Sequence, residues 1–254
     1  MVKVILFGCN GHMGLEVQKA IDANEEYKIV CGVDMNPLST STFPQVANVQ
    51  DFHESADVIV DFSSHKAVVS ILAYAKEREI PVVLCSTGYT EDEITVIEKV
   101  SKIIPIFLSS NMSRAVNLMS ILSQIATNVL KDYDIEIVEK HHNRKVDAPS
   151  GTALLLANSI KAVRKELYPV CDRSGSTKPR DKNELGISSI RGGNLCGEHE
   201  VMFIGNDETL TITHTANSRS IFAKGALSAC EYLIGKSPKV YTMHDLLGDE
   251  VQHL

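Results

Sequence analysis

The residues best equipped for chemistry lie between Glu139 and Ala153, in the run Glu-Lys-His-His-Asn-Arg-Lys-Val-Asp-Ala-Pro-Ser-Gly-Thr-Ala. His141 and His142 adjoin, and Lys145 follows in the same loop. Imidazole is the side chain that most readily trades a proton near neutral pH. Neighbouring residues at a strand end point in different directions, so the two histidines have different jobs. One can serve as a general acid and the other can hold a carboxylate. Lys145 can share the pocket, where nearby cations would depress its pKa and favour proton donation. Ser150 reads as an N-cap, and Gly151 and Thr152 as the opening of a helix that offers donors to an anion. The combination suits a small carboxylate substrate and proton transfer.

A second group, Gly8-Cys9-Asn10-Gly11-His12-Met13-Gly14, follows an apolar run and opens a helical pattern. Glycines three residues apart allow a tight turn and a close approach of backbone to a pyrophosphate. Asp34 ends the next apolar run, twenty residues after Gly14, where an acid accepts from the adenosine ribose hydroxyls. A carboxylate there repels a 2′-phosphate, and Met35, Asn36 and Pro37 bring no arginine to offset it. NADH is therefore the expected donor, with NADPH left open as a second one.

The elements that must hold these groups follow from periodicity. Buried strands are expected at Val2–Phe7, Lys28–Val33, Val58–Phe62, Pro81–Cys85 and Pro105–Leu108, with helices at Met13–Ala23, Lys66–Arg78 and Glu91–Lys102. Such alternation predicts a doubly wound parallel sheet of Rossmann type. Beyond residue 112 the pattern changes. A long helix (Arg114–Leu130), a strand (Asp134–Glu139), a helix (Thr152–Leu167) and a polar loop (Arg173–Asn183) come first. Three strands in succession then follow, Gly186–Gly192, Glu198–Ile204 and Thr209–Thr215, which suits an α+β domain with a mixed or antiparallel sheet. A helix at Ile221–Ile234 and a short element at Tyr241–Leu247 close the pattern.

Composition narrows the class. The chain has 254 residues, 44% hydrophobic and 22% charged, as expected of one large or two smaller globular domains. A net charge of −7 argues against binding nucleic acid by net charge. No membrane span and no signal peptide are expected. The six cysteines are scattered, which suits a reducing cytoplasm. A metal hydrolase using His141, His142, Asp147, His199 or His214 lacks any standard zinc spacing, so no metal is expected. A non-catalytic NADH-binding redox sensor would need a partner or DNA surface, and it has little use for His141, His142 and Lys145 together.

The run Glu139–Ala153 closely resembles the signature E-x-H-H-x-x-K-x-D-A-P-S-G-T-A of the dihydrodipicolinate reductase family, also called 4-hydroxy-tetrahydrodipicolinate reductases. The likeness extends along the chain. Gly8–Gly14 resembles the family's nucleotide loop, and Asp57–Ser63 its D-x-x-[IV]-D-F-[ST] strand. Cys85-Ser86-Thr87-Gly88 is similar to G-T-T-G, and Ser110-Asn111-Met112-Ser113 to A-N-[FM]-S. Arg191-Gly192-Gly193, Gly197-Glu198-His199 and Phe222–Ala226 resemble later blocks, while Asp34-Met35 replaces the acid-arginine pair of some members.

The resemblance implies reduction of a cyclic dicarboxylate to tetrahydrodipicolinate in the diaminopimelate and lysine pathway, with NADH or NADPH. It implies His141 as proton donor or acceptor, Lys145 as a second proton donor, and His142, Gly151 and Thr152 as carboxylate binders. Nucleotide contacts are implied at Gly8, Cys9, Asn10, Gly11, His12, Met13, Asp34, Ser63, Cys85, Ser86, Thr87, Ser110, Asn111, Met112 and Ser113. A homotetramer is implied, assembled through the second domain. So is a return of the C-terminal helices to the first, giving a nucleotide domain of residues 1–112 and 223–254 around a substrate domain of residues 113–222. A crevice between the domains is the expected site.

Overall fold

The structure, a computed structural model, describes residues 1–251. In chain order the elements are β1 (Val2–Phe7), α1 (His12–Asp22), β2 (Tyr27–Val33), β3 (Gln45–Val46), β4 (Val58–Asp61), α2 (Val68–Glu77), β5 (Val82–Leu84), α3 (Glu91–Val100), β6 (Ile106–Leu108), α4 (Arg114–Val129), β7 (Asp134–His141), α5 (Gly151–Val163), β8 (Tyr168–Val170), β9 (Glu184–Arg191), β10 (Gly197–Ile204), β11 (Thr209–Ala216), α6 (Ser220–Leu233), β12 (Val240–Tyr241) and α7 (Met243–Val251). They divide into two compact units. Met1–Arg114 and the chain from Arg219 onward form the first, and Ala115–Ser218 forms the second.

The first unit carries a parallel sheet of seven strands in the order β12-β6-β5-β4-β1-β2-β3. Both faces of its central strands are buried, hence the nearly unbroken apolar runs such as Val4-Ile5-Leu6-Phe7. Ile5, Phe7, Ile59, Val82, Leu84 and Ile106 pack with Ile71 and Leu72 of α2 and Ile97 of α3. On α6, the Leu227 carbonyl accepts from the Tyr27 hydroxyl (3.2 Å), and Tyr232 meets the Phe107 ring edge-on. Thr90 and Glu93 start α3 with a reciprocal capping box. The C-terminal segment is integral to this unit, because β12 pairs with β6. Of the expected segment 223–254, residues 252–254 lie outside those described.

The second unit is a five-stranded mixed sheet, β11-β10-β7-β9-β8. The three late strands do not form a simple meander: β7 lies between β9 and β10, parallel to the first and antiparallel to the second. The strand expected at Asp134–Glu139 runs on through His141, because Lys140 and His141 still pair with Ile190 and Arg191. The helix expected at Thr152–Leu167 stops at Val163, and Tyr168–Val170 forms an edge strand instead.

Strict alternation on β7 gives its two faces different fates. Ile135, Ile137, Glu139 and His141 are buried, and the residues between them are partly exposed. Registers align Ile135 with Leu185 and Phe203, and Ile137 with Ile187 and Val201. These rows pack under Met119 and Ala126 of α4 and Ala153, Leu156 and Ile160 of α5. Further along the same face the rows turn polar: Glu139 aligns with Ser189 and His199, His199 with His214, and His141 with Arg191. One sheet face is thus a core at one end and a cluster of ionisable groups at the other.

Candidate active site

In the first unit the implied nucleotide residues follow the C-terminal ends of parallel strands. Gly8 to Met13 come after β1, Asp34 after β2, Ser63 after β4, Cys85 to Thr87 after β5, and Ser110 to Ser113 after β6. In a parallel sheet these ends share one edge, where open α/β sheets bind ligands. Gly8 has φ +71°, a conformation that favours glycine, and a Cβ there would lie 2.7 Å from the Phe62 carbonyl oxygen. A Cβ on Gly14 would run into the Gly8 and Cys9 carbonyls. The loop is therefore closed tightly onto the start of α1. Its residues fit a dinucleotide.

Asp34 braces that loop. Its carboxylate accepts from the Asn10 and Asn36 backbone N–H groups, both at 3.1 Å. The Asn10 side chain in turn exchanges hydrogen bonds with Gln45 (3.0 and 3.1 Å). Cys9, Cys85 and Met112 are buried. Asp61, fully buried at the end of β4, accepts from the Ser63 N–H and hydroxyl (2.8 and 2.5 Å) and from the Ser86 hydroxyl (2.8 Å). Burial raises its pKa, and those hydrogen bonds only partly oppose the rise.

In the second unit the polar end of the sheet meets the start of α5. Glu139 is fully buried. One of its oxygens lies 2.5 Å from Nδ1 of His141 and accepts from Arg191 at 2.8 Å. The other accepts from Arg191 at 2.7 Å and from the Ser150 N–H at 3.2 Å. Burial works to raise the Glu139 pKa, but the bonds from Arg191, Ser189 and His141 outweigh it and hold the group at about 2. His141 is 8% exposed and meets the ring of His199 edge-on, with centroids 5.2 Å apart. His199 is pushed down to about 4 by burial and then by the neighbouring His141.

The helix start has the form the sequence suggested. Ser150 caps α5 by accepting from the Ala153 N–H (3.2 Å), and its hydroxyl also shares a hydrogen bond with Nε2 of His199 (3.1 Å). Gly151 and Thr152 are the first two helical residues, where backbone N–H groups point out along the axis. His142 directly follows β7 and is partly exposed, and its carbonyl accepts from the Lys145 N–H at 3.1 Å. The expected environment of Lys145 needs correcting. Its ammonium pairs with the Asp147 carboxylate at 2.8 Å, so its immediate partner is an anion, not a second cation.

Sequence reasoning gives no role to Glu139 or Arg191, and gives His199 one only as a ligand in the rival metal-hydrolase reading. The available signal was the spacing of Glu139 and His141, which on a strand puts both on one face. Among the described residues, no group of three or more His, Cys, Asp or Glu side chains could hold a metal ion. No helix among them is long and apolar enough to cross a membrane.

Both halves of the chain match known proteins. Residues 2–112 match the family described as Dihydrodipicolinate reductase, N-terminus, and residues 115–247 match Dihydrodipicolinate reductase, C-terminus. The 4-hydroxy-tetrahydrodipicolinate reductase of Clostridium novyi (strain NT) is 47% identical over 248 residues, which cover 97% of this chain and 98% of that protein. The protein of the same name from Staphylococcus haemolyticus (strain JCSC1435) is 39% identical, over 96% of this chain and all of its own length. A solved structure, the dipicolinate-bound dihydrodipicolinate reductase from Paenisporosarcina sp. TG-14, superposes with a TM-score of 0.82 at 21% identity, covering 96% of this chain and 98% of its own. The chain belongs to the dihydrodipicolinate reductase family.

Proposed function

We propose that this chain reduces 4-hydroxy-tetrahydrodipicolinate to tetrahydrodipicolinate in the diaminopimelate and lysine route, as its relatives' name describes. One observation carries the reading to particular residues. His141, charge-paired through Nδ1, sits in the same unit and on the same sheet end as the start of α5. A proton donor and an anion-binding helix end suit a substrate that carries carboxylates and must be protonated as it is reduced.

When bound, the nicotinamide supplies the hydride. The protein supplies the rest. The substrate first loses its 4-hydroxyl as water, which leaves a conjugated C=N–C=C system; hydride addition to that system leaves negative charge on the ring, and His141 provides the proton that quenches it. Lys145 is the second proton donor. His142 and the Gly151–Thr152 turn of α5 hold the carboxylates and stabilise the charge as it develops. The nucleotide rests on Gly8 to Met13, Asp34, Ser63, Cys85 to Thr87 and Ser110 to Ser113. NADH is preferred over NADPH, because the Asp34 carboxylate stands where a 2′-phosphate would lie.

Residues 1–112 with 223–254 act as the nucleotide domain, and 113–222 as the substrate and assembly domain. The protein works in the cytoplasm as a homotetramer. Helices α4 and α5 pack on one face of the second sheet, and Ile190 and Ile204 remain exposed. The assay that tests the function supplies the enzymatically generated dicarboxylate with each coenzyme in turn. Consumption of NADH, with a higher kcat/KM than for NADPH, is expected. No turnover with either coenzyme refutes the activity, and equal or better use of NADPH refutes the preference.

A further inference from the structure

Glu139 has no place in the proton transfer just described, yet it is the most completely enclosed charge in the second unit. Its hydrogen-bond partners include His141, Arg191 (twice), the Ser150 N–H and Ser189. Arg191 and the amide can only donate, so they favour the ionised carboxylate, which can only accept. An acceptor 2.5 Å from Nδ1 of His141 requires that nitrogen to carry a hydrogen. The ring's other nitrogen, Nε2, is then the one that gains and loses a proton. Space is kept beside it: a Cβ on Gly197 would come within 3.0 Å of Nε2.

We propose that Glu139 is a positioning residue for His141: it fixes the ring orientation and tautomer so that Nε2 is the proton-exchanging atom, while Arg191 and the Ser150 N–H keep the carboxylate from taking the proton itself. The proposal rests on His141 being the proton donor. The bidentate grip of Arg191 makes Glu139 a fixed counter-charge, not a second base. Its pKa of about 2 agrees with that role. Other charged or titratable groups surround the pair. His199 faces His141 from β10, His214 stands beyond it on β11, and Lys145 and Asp147 lie in the loop after β7.

The test combines ¹⁵N-histidine NMR of the whole protein with steady-state kinetics of Glu139→Gln and His141→Gln. In the unsubstituted protein, at a pH where the ring is neutral, the His141 signal (identified by its loss in His141→Gln) should show the hydrogen on Nδ1. In Glu139→Gln the amide oxygen should turn to the two donors at Arg191 and Ser150. Its NH₂ then faces His141 and drives the hydrogen to Nε2. The expected kinetic result is a ~100-fold fall in kcat with KM nearly unchanged. A purely structural role would not move the tautomer. A hydrogen on Nε2 in the unsubstituted protein overturns the proposal whether or not the variant folds. So does full kcat in Glu139→Gln when His141→Gln has lost it. Full kcat in both variants overturns the role of His141 itself.

Discussion

The two units each bury one carboxylate completely, and they treat it in opposite ways. Asp61, in the first, is met by two serine hydroxyls and one backbone N–H, with no cation among these partners. Its pKa rises under burial. Glu139, in the second, is met by a guanidinium, an imidazole and a backbone N–H, and is held at about 2. Neutral dipoles are enough to seat a carboxyl that ties loop ends together. A carboxylate that must keep its charge beside an imidazole needs a full positive partner. The difference separates a group that organises backbone from the one proposed to position a proton donor.

The sharpest way to break this comparison is to remove the cation. Arg191→Leu leaves Glu139 buried beside His141 without its main partner, and should cost about 3 kcal/mol or more of stability in urea unfolding. A loss near zero would show that the guanidinium does not hold the carboxylate. Next, His141→Gln should lower kcat by ~100-fold or more with NADH affinity intact, as read by fluorescence titration. An unchanged rate would remove it from the chemistry.

Acid should then discriminate between the units. Glu139 and His199 both titrate lower in the folded protein than in the unfolded chain, so both contribute stability at neutral pH. The share from His199 is lost as pH falls from about 6.5 to about 4, and that from Glu139 between about 4.5 and about 2. Each share is on the order of 3 kcal/mol. Asp61 has the opposite sign, because its raised pKa makes it least favourable at neutral pH and less costly as acid protonates it. The protection of amides in β7 and β10, taken relative to the intrinsic exchange rate at each pH, should therefore fall between pH 7 and 4 by more than that in β1 and β4; equal falls would contradict the assignment. The smallest effect is expected for Asp61→Asn, whose oxygen still accepts from Ser63 and whose NH₂ can donate to Ser86. A change below about 1 kcal/mol at pH 7 is expected, and a larger loss would mean that Asp61 works as an ion after all.

Much of this was legible in the chain itself. The run Val4-Ile5-Leu6-Phe7 ending at Gly8 reveals a buried strand and its turn, because parallel strands are apolar on both faces. The histidine-rich loop reveals itself by composition. What stayed hidden depends on distance along the chain or on brevity. Gln45–Val46 and Val240–Tyr241 are too short to show a period. Tyr168–Val170 adjoins a helical pattern and was absorbed into it. Glu139 looks like one acid in a polar stretch until β9 brings Arg191, fifty-two residues away, against it. Asp61 gives no sign of burial within Asp-Phe-Ser. For Lys145 the basic neighbours in sequence misled, because Asp147 is the group that reaches its ammonium.

The pairing of β12 with β6 has a consequence for biogenesis. During synthesis all of Ala115–Ser218 is made before α6 or β12. A chain truncated after Ser218 would thus hold every residue of the inner unit, while the outer one would lack an edge strand and a covering helix.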